Sequence, residues 1–145
     1  MAVLFSARSL ARGANGVAVL GHVATDQHNA FNCSALAVLN VARDSMAAVG
    51  FSPATRVFEA AGAGACLITD AWRGIEQFLE PDSEVLVASG PDEVVEHLQA
   101  LTPDRARAVG AAARRRVLAE HTYAMRALQV EEVLSRGIGT AEVNS

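Results

Sequence analysis

The stretch from residue 39 to residue 70, LNVARDSMAAVGFSPATRVFEAAGAGACLITD, most constrains how this chain can fold. It contains an apolar run ending at Asn40, a glycine turn at Gly50, a capped helix and a second apolar run ending near Asp70. This order predicts strand, loop, helix and strand, the repeating unit of a parallel sheet. Open sheets of this kind bind ligands outside the carboxyl ends of their strands. We therefore expect the polar residues of this stretch to lie at a ligand-binding edge.

The rest of the chain continues the alternation of strands and helices. Apolar runs predict strands over residues 2–6, 17–20, 35–40, 65–69 and 84–88. Capping residues and periodicity predict helices over 26–32, 52–61, 91–101, 102–120 and 122–134, with a turn or two over 75–79. Residues 43–51 are predicted to form a loop. Together these elements predict an α/β protein that is Rossmann-like, with three α/β/α layers and a mainly parallel sheet.

Particular residues set the predicted helix boundaries. Asp26 is the expected N-cap of the first helix. Ser52 as N-cap and Pro53 at the first helical position begin the helix that Gly62 and Gly64 end. Thr102 and Thr122 are the expected N-caps of the last two helices.

The length of 145 residues predicts one domain. We assign residues 1–16 to an N-terminal segment with a candidate edge strand, 17–136 to the domain proper and 137–145 to a frayed tail. The first strand lacks a convincing helical crossover to the next. The chain therefore reads as if it begins partway through a doubly wound domain.

Charge and composition exclude several classes of partner. A net charge of −4 and a pI near 5.5 argue against general binding to nucleic acid or to a membrane surface. The basic run at 114–116 lies near Glu120 and predicts a solvated helical face. No segment approaches the ~20 apolar residues of a membrane span. Cys33 and Cys66 lack metal or redox spacing, which favours structural thiols and a reducing cytoplasm.

Residues 50–59 combine features that suit a ligand with phosphates and hydroxyls. The amino end of the predicted helix offers unpaired N–H groups and the positive end of its dipole. Gly50 lets the backbone approach a ligand, and Arg56 can grip phosphate with two hydrogen bonds. Glu59 lies near the same helical face, where its carboxylate could accept both hydroxyls of a ribose. The alternative is a surface Arg56–Glu59 ion pair worth about 0–1 kcal/mol.

The order and intervals of several motifs resemble those of a known family. These motifs are G-H-V at 21–23, L-N-V-A-R at 39–43, S-P-A-T-R-V-F-E-A-A-G-A-G at 52–64, L-I-T-D at 67–70, W-R-G at 72–74, F-L-E-P-D-S-E at 78–84 and L-A-E-H-T at 118–122. From residue 21 to residue 134 the sequence resembles the C-terminal, donor-binding domain of two-domain (GT-B) glycosyltransferases, specifically the CgeB-like group. The resemblance implies a Rossmann-like domain that is truncated at its N-terminus.

The resemblance implies a site for a nucleotide diphosphate sugar. Glu59 would bind the ribose, Arg56 would support the diphosphate, and the base would lie near His22 and Val23. The loop ahead of the helix would contact the diphosphate and sugar through Gly50, Phe51, Ser52, Pro53 and Thr55. Phe51 stands where many relatives carry a second glutamate, so this chain departs from the two-glutamate pattern.

Further polar residues end strands at the expected ligand edge. Asn40, Arg43 and Asp70 are candidate ligand contacts. In the alternative interpretation, Asn40 closes a turn and Arg43 pairs with Asp44 or Asp70. Trp72 either packs beneath a ligand or covers the core.

The sequence predicts no metal cofactor. The histidines show no ligand spacing and no D-x-D pair is present. A helix dipole and an arginine would then neutralise the diphosphate. His121, at a break between helices, is predicted to be a buried cap rather than a catalytic group.

A match to the donor-binding half alone implies that an acceptor-binding half is missing. The implied reaction transfers a glycosyl group from a nucleotide diphosphate sugar to an unidentified acceptor. An N-terminal acceptor-domain chain or a homodimer is the expected protein partner, because a half-molecule should expose apolar surface. The alternative function is a non-catalytic nucleotide-sugar-binding or interaction module.

Overall fold

Four strands form one parallel sheet, and they lie side by side in the order of the sequence. The computed structural model describes residues 3–5, 23–42 and 44–141. The strands are β1 Val3–Phe5, β2 Ala37–Asn40, β3 Leu67–Asp70 and β4 Leu86–Ala88. Parallel neighbours need crossover connections, so the alternation of strands and helices in the sequence leads directly to this topology.

The described residues also form six α-helices and two short 3-10 helices. The α-helices are α1 His28–Ser34, α2 Asp44–Val49, α3 Thr55–Ala63, α4 Pro91–Ala100, α5 Pro103–Glu120 and α6 Tyr123–Ala141. The 3-10 helices are Thr25–Gln27 and Ile75–Gln77. The predicted α/β class with a parallel sheet is confirmed.

Apolar side chains on both faces of the sheet are covered by helices. Val38 and Leu67 are paired across β2 and β3 and pack on one face with Val57 of α3. Their neighbours Leu39 and Ile68 point to the opposite face, because successive strand side chains alternate. Burial on both faces explains why the strands are continuous apolar runs rather than alternating ones.

The strand predictions hold wherever the structure describes them. Those over 35–40, 65–69 and 84–88 correspond to β2, β3 and β4, with ends shifted by one or two residues. The first predicted strand, 2–6, contains β1. The strand predicted over 17–20 lies outside the described residues.

The predicted loop over 43–51 is wrong, because α2 occupies most of it. Met46, Ala47 and Ala48 are good helix formers, and this local propensity favours a short helix. Gly50 ends it with a positive φ of 71° and donates its N–H to the Met46 carbonyl oxygen at 3.0 Å. The glycine is therefore a helix terminator as well as a turn.

The predicted start of α3 is also wrong. Ser52 does not cap the helix and Pro53 is not its first residue; α3 begins at Thr55, and Ala54 is an extended N-cap without a side-chain hydrogen bond. Phe51 has a φ of 52°, and its N–H donates to the Arg73 carbonyl oxygen at 2.7 Å. This tie to the chain after β3 accounts for the later helix start.

Of the two glycines predicted to end α3, one does so. Gly64 is the left-handed C-cap with a φ of 78°, and the N–H groups of Gly64 and Ala65 donate to Ala61 and Ala60. Gly62 lies inside the helix instead of ending it.

Two other helix boundaries differ from the prediction. Asp26 lies within the first 3-10 helix and does not cap α1, whose N-cap is Gln27. The last helix does not stop at Leu134 but continues to Ala141. The first difference arises because a 3-10 turn precedes the helix, and no capping signal distinguishes such a turn from the helix itself.

Thr102 caps α5 as predicted, and this contact gives a first test of the fold. Its hydroxyl oxygen accepts the N–H of Arg105 at 3.2 Å. Thr102→Ala should lower the free energy of unfolding by about 1 kcal/mol, because a helix N–H loses its acceptor. Urea unfolding measures the loss. The exposed Ser135→Ala on α6 is the control and should cause none; an equal loss in both would contradict the capping role.

Candidate functional site

The carboxyl ends of β2 and β3 are connected by polar side chains, of which Asn40 and Thr69 are buried and Asp70 is half-buried. Asn40 Nδ2 donates to Thr69 Oγ1 at 3.2 Å, and Thr69 Oγ1 donates to Asp70 Oδ1 at 3.2 Å. The Ala42 N–H also donates to Asp70 Oδ1, at 2.9 Å. Two predicted site residues, Asn40 and Asp70, are therefore brought together. Their observed contacts hold the sheet edge and the chain leaving β2.

The chain after α2 crosses the chain after β3 at this edge. The Arg73 guanidinium lies over the Phe51 ring, 4.9 Å from its centroid, and donates to the Val49 carbonyl oxygen at 3.3 Å. Gly74 has a φ of 96°, and a Cβ there would lie 2.2 Å from the Phe51 ring. The loop that carries the predicted ligand contacts is thus shaped by residues that follow β3.

Two of the predicted residues, Thr55 and Glu59, line one cavity of about 590 Å³. They lie one helical turn apart on α3, so both side chains share a face. The far wall comes from the end of α5 and the start of α6. The complete lining is Thr55, Phe58, Glu59, Val117, His121, Thr122, Tyr123 and Arg126.

Glu59 is exposed and makes no hydrogen bond or ion pair with another described residue. The ion pairs of the described chain are Asp104–Arg107, Arg116–Glu120 and Glu132–Arg136. The Arg56–Glu59 surface ion pair, the alternative from the sequence, is therefore not formed. Arg56 is half-buried and does not line the cavity of Glu59.

A second cavity, of about 690 Å³, shares Phe58, His121 and Arg126 with the first. The loop ahead of α3 contributes Phe51 and Pro53 to it. The other lining residues are Gln77, Phe78, Glu120, Met125 and Gln129. The predicted ligand contacts are therefore divided between two cavities with a common wall. Thr55 and Glu59 line the first cavity, and Phe51 and Pro53 line the second.

The common wall consists of Phe58, His121 and Arg126, and Phe78 of the second cavity packs against its two rings. The rings of Phe58, Phe78 and His121 have centroids 5.6 to 5.8 Å apart. Trp72 is buried, and its ring centroid is 5.9 Å from that of Phe78, so its packing in the core is observed. Aromatic pairs at these distances attract each other, so they stabilise the cavity wall.

His121 holds Arg126 in this wall. The Arg126 Nη2 atom lies 2.6 Å from His121 Nδ1, and His121 Nε2 lies 3.1 Å from the Phe78 carbonyl oxygen. Burial, and after it the charge of Arg126, lowers the pKa of His121 below its usual 6.5. His121 is also the C-cap of α5, as the helix break predicted, but it is half-buried rather than buried.

The remaining predicted residues lie elsewhere or outside the description. Ser52 is exposed, and Gly50 is buried where α2 ends. The Val23 carbonyl oxygen accepts from His28 Nε2 at 3.0 Å, and Val23 lines neither cavity. His22 and Arg43 lie outside the described residues, so their predicted roles stay predictions.

The cysteines and the basic run behave as ordinary structural features. Burial raises the pKa of the Cys66 thiol to about 11, and the exposed Cys33 thiol donates to the Ala63 carbonyl oxygen at 3.2 Å. In the basic run, Arg114 and Arg115 are exposed and Arg116 pairs with Glu120 at 3.1 Å. This is the solvated helical face that the sequence predicted.

No group of three or more His, Cys, Asp or Glu side chains among the described residues could hold a metal ion. None of the helices in the described part of the chain is long and apolar enough to cross a membrane.

Comparison with known proteins identifies the family. The family described as glycosyl transferase-like matches residues 5–132, which is most of the chain. The chain belongs to this glycosyl transferase-like family. No curated protein matches the sequence.

The fold of this glycosyl transferase-like domain agrees with a solved structure. Sucrose-phosphate synthase from Thermosynechococcus elongatus is 18% identical, with a TM-score of 0.68 over 83% of this chain. The chain spans 30% of the length of that synthase. The likeness shows the fold, a GT-B glycosyltransferase domain, as the sequence resemblance implied.

Sequence reasoning missed the wall formed by α5 and α6. The sequence predicts no role for Arg126 and only a capping role for His121. The only sequence signal is the L-A-E-H-T motif, which belongs to the resemblance, although the resemblance implies no function for its histidine. The four residues between His121 and Arg126 cross a helix break, so no periodicity predicts their contact.

Proposed function

We propose that this chain is the donor-binding part of a glycosyltransferase and binds a nucleotide diphosphate sugar. The observation that carries the proposal is the cavity lined by both Thr55 and Glu59. The carboxylate of Glu59 has no hydrogen-bond or ion-pair partner among the described residues, so it is available to a ligand. The motifs at 39–43 and 52–64 further support the CgeB-like group within the family.

In this proposal each part of the donor meets a group of matching chemistry. The vicinal hydroxyls of the ribose donate to Glu59, which can accept two hydrogen bonds. The diphosphate lies at the start of α3, where the N–H groups of Thr55 and Arg56 have no helical acceptors, whereas that of Val57 donates to the Ala54 carbonyl oxygen at 2.9 Å. Arg56 is placed one residue beyond Thr55 and adds positive charge near the helix start.

The proposal assigns neutralisation of the diphosphate to protein groups instead of a metal ion. Fixed N–H dipoles and a guanidinium can stabilise the charge that develops on the leaving diphosphate. The acceptor and the general base would come from an acceptor-binding half. The synthase with the same fold is more than three times as long as the part that matches here.

Calorimetric titration with UDP, ADP, GDP and dTDP and with their glucose or mannose derivatives tests the function. We expect saturable binding of at least one nucleotide sugar by the folded chain. Absence of binding to every compound, in a sample with a cooperative unfolding transition, would contradict the proposal. Binding without transfer, even with the acceptor half present, would favour the non-catalytic module.

An apolar stripe on α6 supports the proposal that this chain binds a protein partner. Tyr123, Ala127, Val130 and Leu134 follow helical spacing on one face and are all exposed. Tyr123 also lines the cavity of Glu59, so the stripe reaches the proposed donor site. We infer that the acceptor-domain chain, or a second copy of this chain, covers the stripe.

The stripe gives a prediction about the isolated chain. Expressed by itself, the protein should self-associate in light scattering, because burial of exposed leucine and valine side chains is favourable. The double variant Val130→Glu, Leu134→Glu should be monomeric. Val95→Glu, at an exposed position of α4, is the control and should associate as the natural chain does. A monomeric natural chain at high concentration would contradict self-association.

A further inference from the structure

Arg126 is a cation in the cavity wall without an acidic partner. It is half-buried, lines both cavities and forms no ion pair within the described residues. Its guanidinium is held by two neutral side chains, through Nη1 to Gln129 Oε1 at 2.7 Å and through Nη2 to His121 Nδ1. A guanidinium has five N–H donors, so donors remain for a ligand.

The geometry defines the protonation state in which His121 can hold the arginine. The Phe78 carbonyl oxygen only accepts, so Nε2 carries the proton of the neutral ring and donates to it. Nδ1 then has a lone pair for the Arg126 N–H. Protonation of Nδ1 would place two donors and two positive charges face to face, and the contact would be lost.

We propose that Arg126 binds a phosphate of the ligand and that neutral His121 positions it for this contact. The inference rests on the proposed function and deepens it: Glu59 on α3 recognises hydroxyls, while Arg126 on α6 recognises negative charge in the same cavity. His121 is a positioning residue, since it acts through Arg126. Its protonation releases the guanidinium and weakens phosphate binding.

The charges around His121 make the ring respond to mild acid. Arg126 on α6 and Arg116 on α5 disfavour its protonation, whereas Glu120 on α5 and the Phe78 carbonyl oxygen favour it. Glu59 on α3 lines the first cavity together with His121. Since the pKa is lowered in the folded protein, the neutral ring predominates at neutral pH. The Arg126 contact is then complete above about pH 6.5 and is lost as pH falls.

The first experiment compares Arg126→Gln with the natural chain, using the tightest binder among UDP-glucose, ADP-glucose, GDP-mannose and dTDP-glucose. Loss of a charged hydrogen bond should weaken binding about 10- to 100-fold. Binding of the matching nucleoside, which has no phosphate, should not change. Arg107→Gln removes an exposed guanidinium outside both cavities and is the control.

The second experiment measures the same affinity between about pH 5 and about pH 8, the range in which histidine titrates. A nucleotide sugar is a suitable probe because its phosphates are diesters and keep their charge over this range. The natural chain should bind more weakly as pH falls, and Arg126→Gln should show a flat profile. His121→Asn retains an acceptor near the position of Nδ1 without a titratable proton. It should bind as the natural chain does at neutral pH, with a flat profile.

The outcomes separate this inference from the proposed function. If the natural chain binds nucleotide sugars but Arg126→Gln binds them equally well, the inference is wrong and the donor site stands. A pH profile that persists in His121→Asn, or is absent from the natural chain, overturns the positioning role. If the folded natural chain binds none of the four compounds, both proposals fail. Circular dichroism at each pH verifies that the chain is folded.

Discussion

Gly110→Ala should lower the free energy of unfolding by about 3 kcal/mol, the cost of overpacking a rigid contact. Gly110 is buried in α5, and a Cβ there would lie 2.1 Å from the Gly64 carbonyl oxygen and 2.8 Å from its carbonyl carbon. Both atoms belong to the backbone that ends α3, so no side-chain rotation can relieve the clash. The helices would have to separate.

The sign of the change in the free energy of unfolding is diagnostic, because substitution of glycine by alanine stabilises a helix that has no close neighbour at that position. Gly62→Ala is the matched control: Gly62 lies within α3, and a Cβ there meets nothing within 4 Å. It should raise the free energy of unfolding by about 0.5–1 kcal/mol. Urea unfolding followed by far-UV circular dichroism measures both variants. A stabilising Gly110→Ala would show that α3 and α5 do not approach so closely.

The contact at Gly110 also matters for the candidate site. It sets the distance between α3, which carries Thr55 and Glu59, and α5, which carries Val117 and is capped by His121. Because the two cavities lie between these elements, separation of the helices should widen them. Gly110→Ala is therefore expected to weaken ligand binding as well as stability.

Glu59→Ala should weaken nucleotide-sugar binding about 10- to 100-fold, since charge-assisted hydrogen bonds to the ribose are lost. The carboxylate is exposed and has no partner among the described residues, so the unfolding transition should not shift to lower temperature. Calorimetric titration provides the affinity and thermal unfolding the stability. This combination distinguishes a binding residue from a structural one.

Glu96→Ala is the matched control for this prediction. Glu96 is also an exposed helical glutamate, but it lies on α4 and lines neither cavity. It should leave the affinity unchanged, which excludes a general effect of the net charge. Glu59→Ala should weaken binding of a nucleoside and of its nucleotide sugar alike, whereas Arg126→Gln acts only on the phosphorylated compound. If Glu59→Ala binds the nucleotide sugar as tightly as the natural chain does, Glu59 does not bind the ribose.

The fold was predictable where local signals suffice. Strands β2, β3 and β4 are buried on both faces, so each is a short apolar run with polar residues at its ends. The cap at Thr102 and the left-handed Gly64 are likewise local, because each satisfies groups within one helical turn.

The predictions failed where distant residues compete with local preference. Ser52 and Pro53 are good residues for a helix start, yet the chain stays extended until Thr55. The deciding contacts come from Arg73 and Gly74, which hold Phe51 in a left-handed conformation. The helical propensity of 44–49 is a weaker local signal than the adjacent Gly50, so the sequence predicts a loop where α2 forms.

By itself the sequence determined the α/β class, the parallel character of the sheet and the membership of Glu59 in a helix that follows a glycine turn. These depend on periodicity, caps and turns, which act over a few residues. Only the tertiary structure decided which residues face Glu59. The wall containing His121 and Arg126 comes from helices that begin more than forty residues later in the chain. The approach of α5 to α3 is set by close packing at Gly64 and Gly110, and this contact produces no periodic pattern in the sequence.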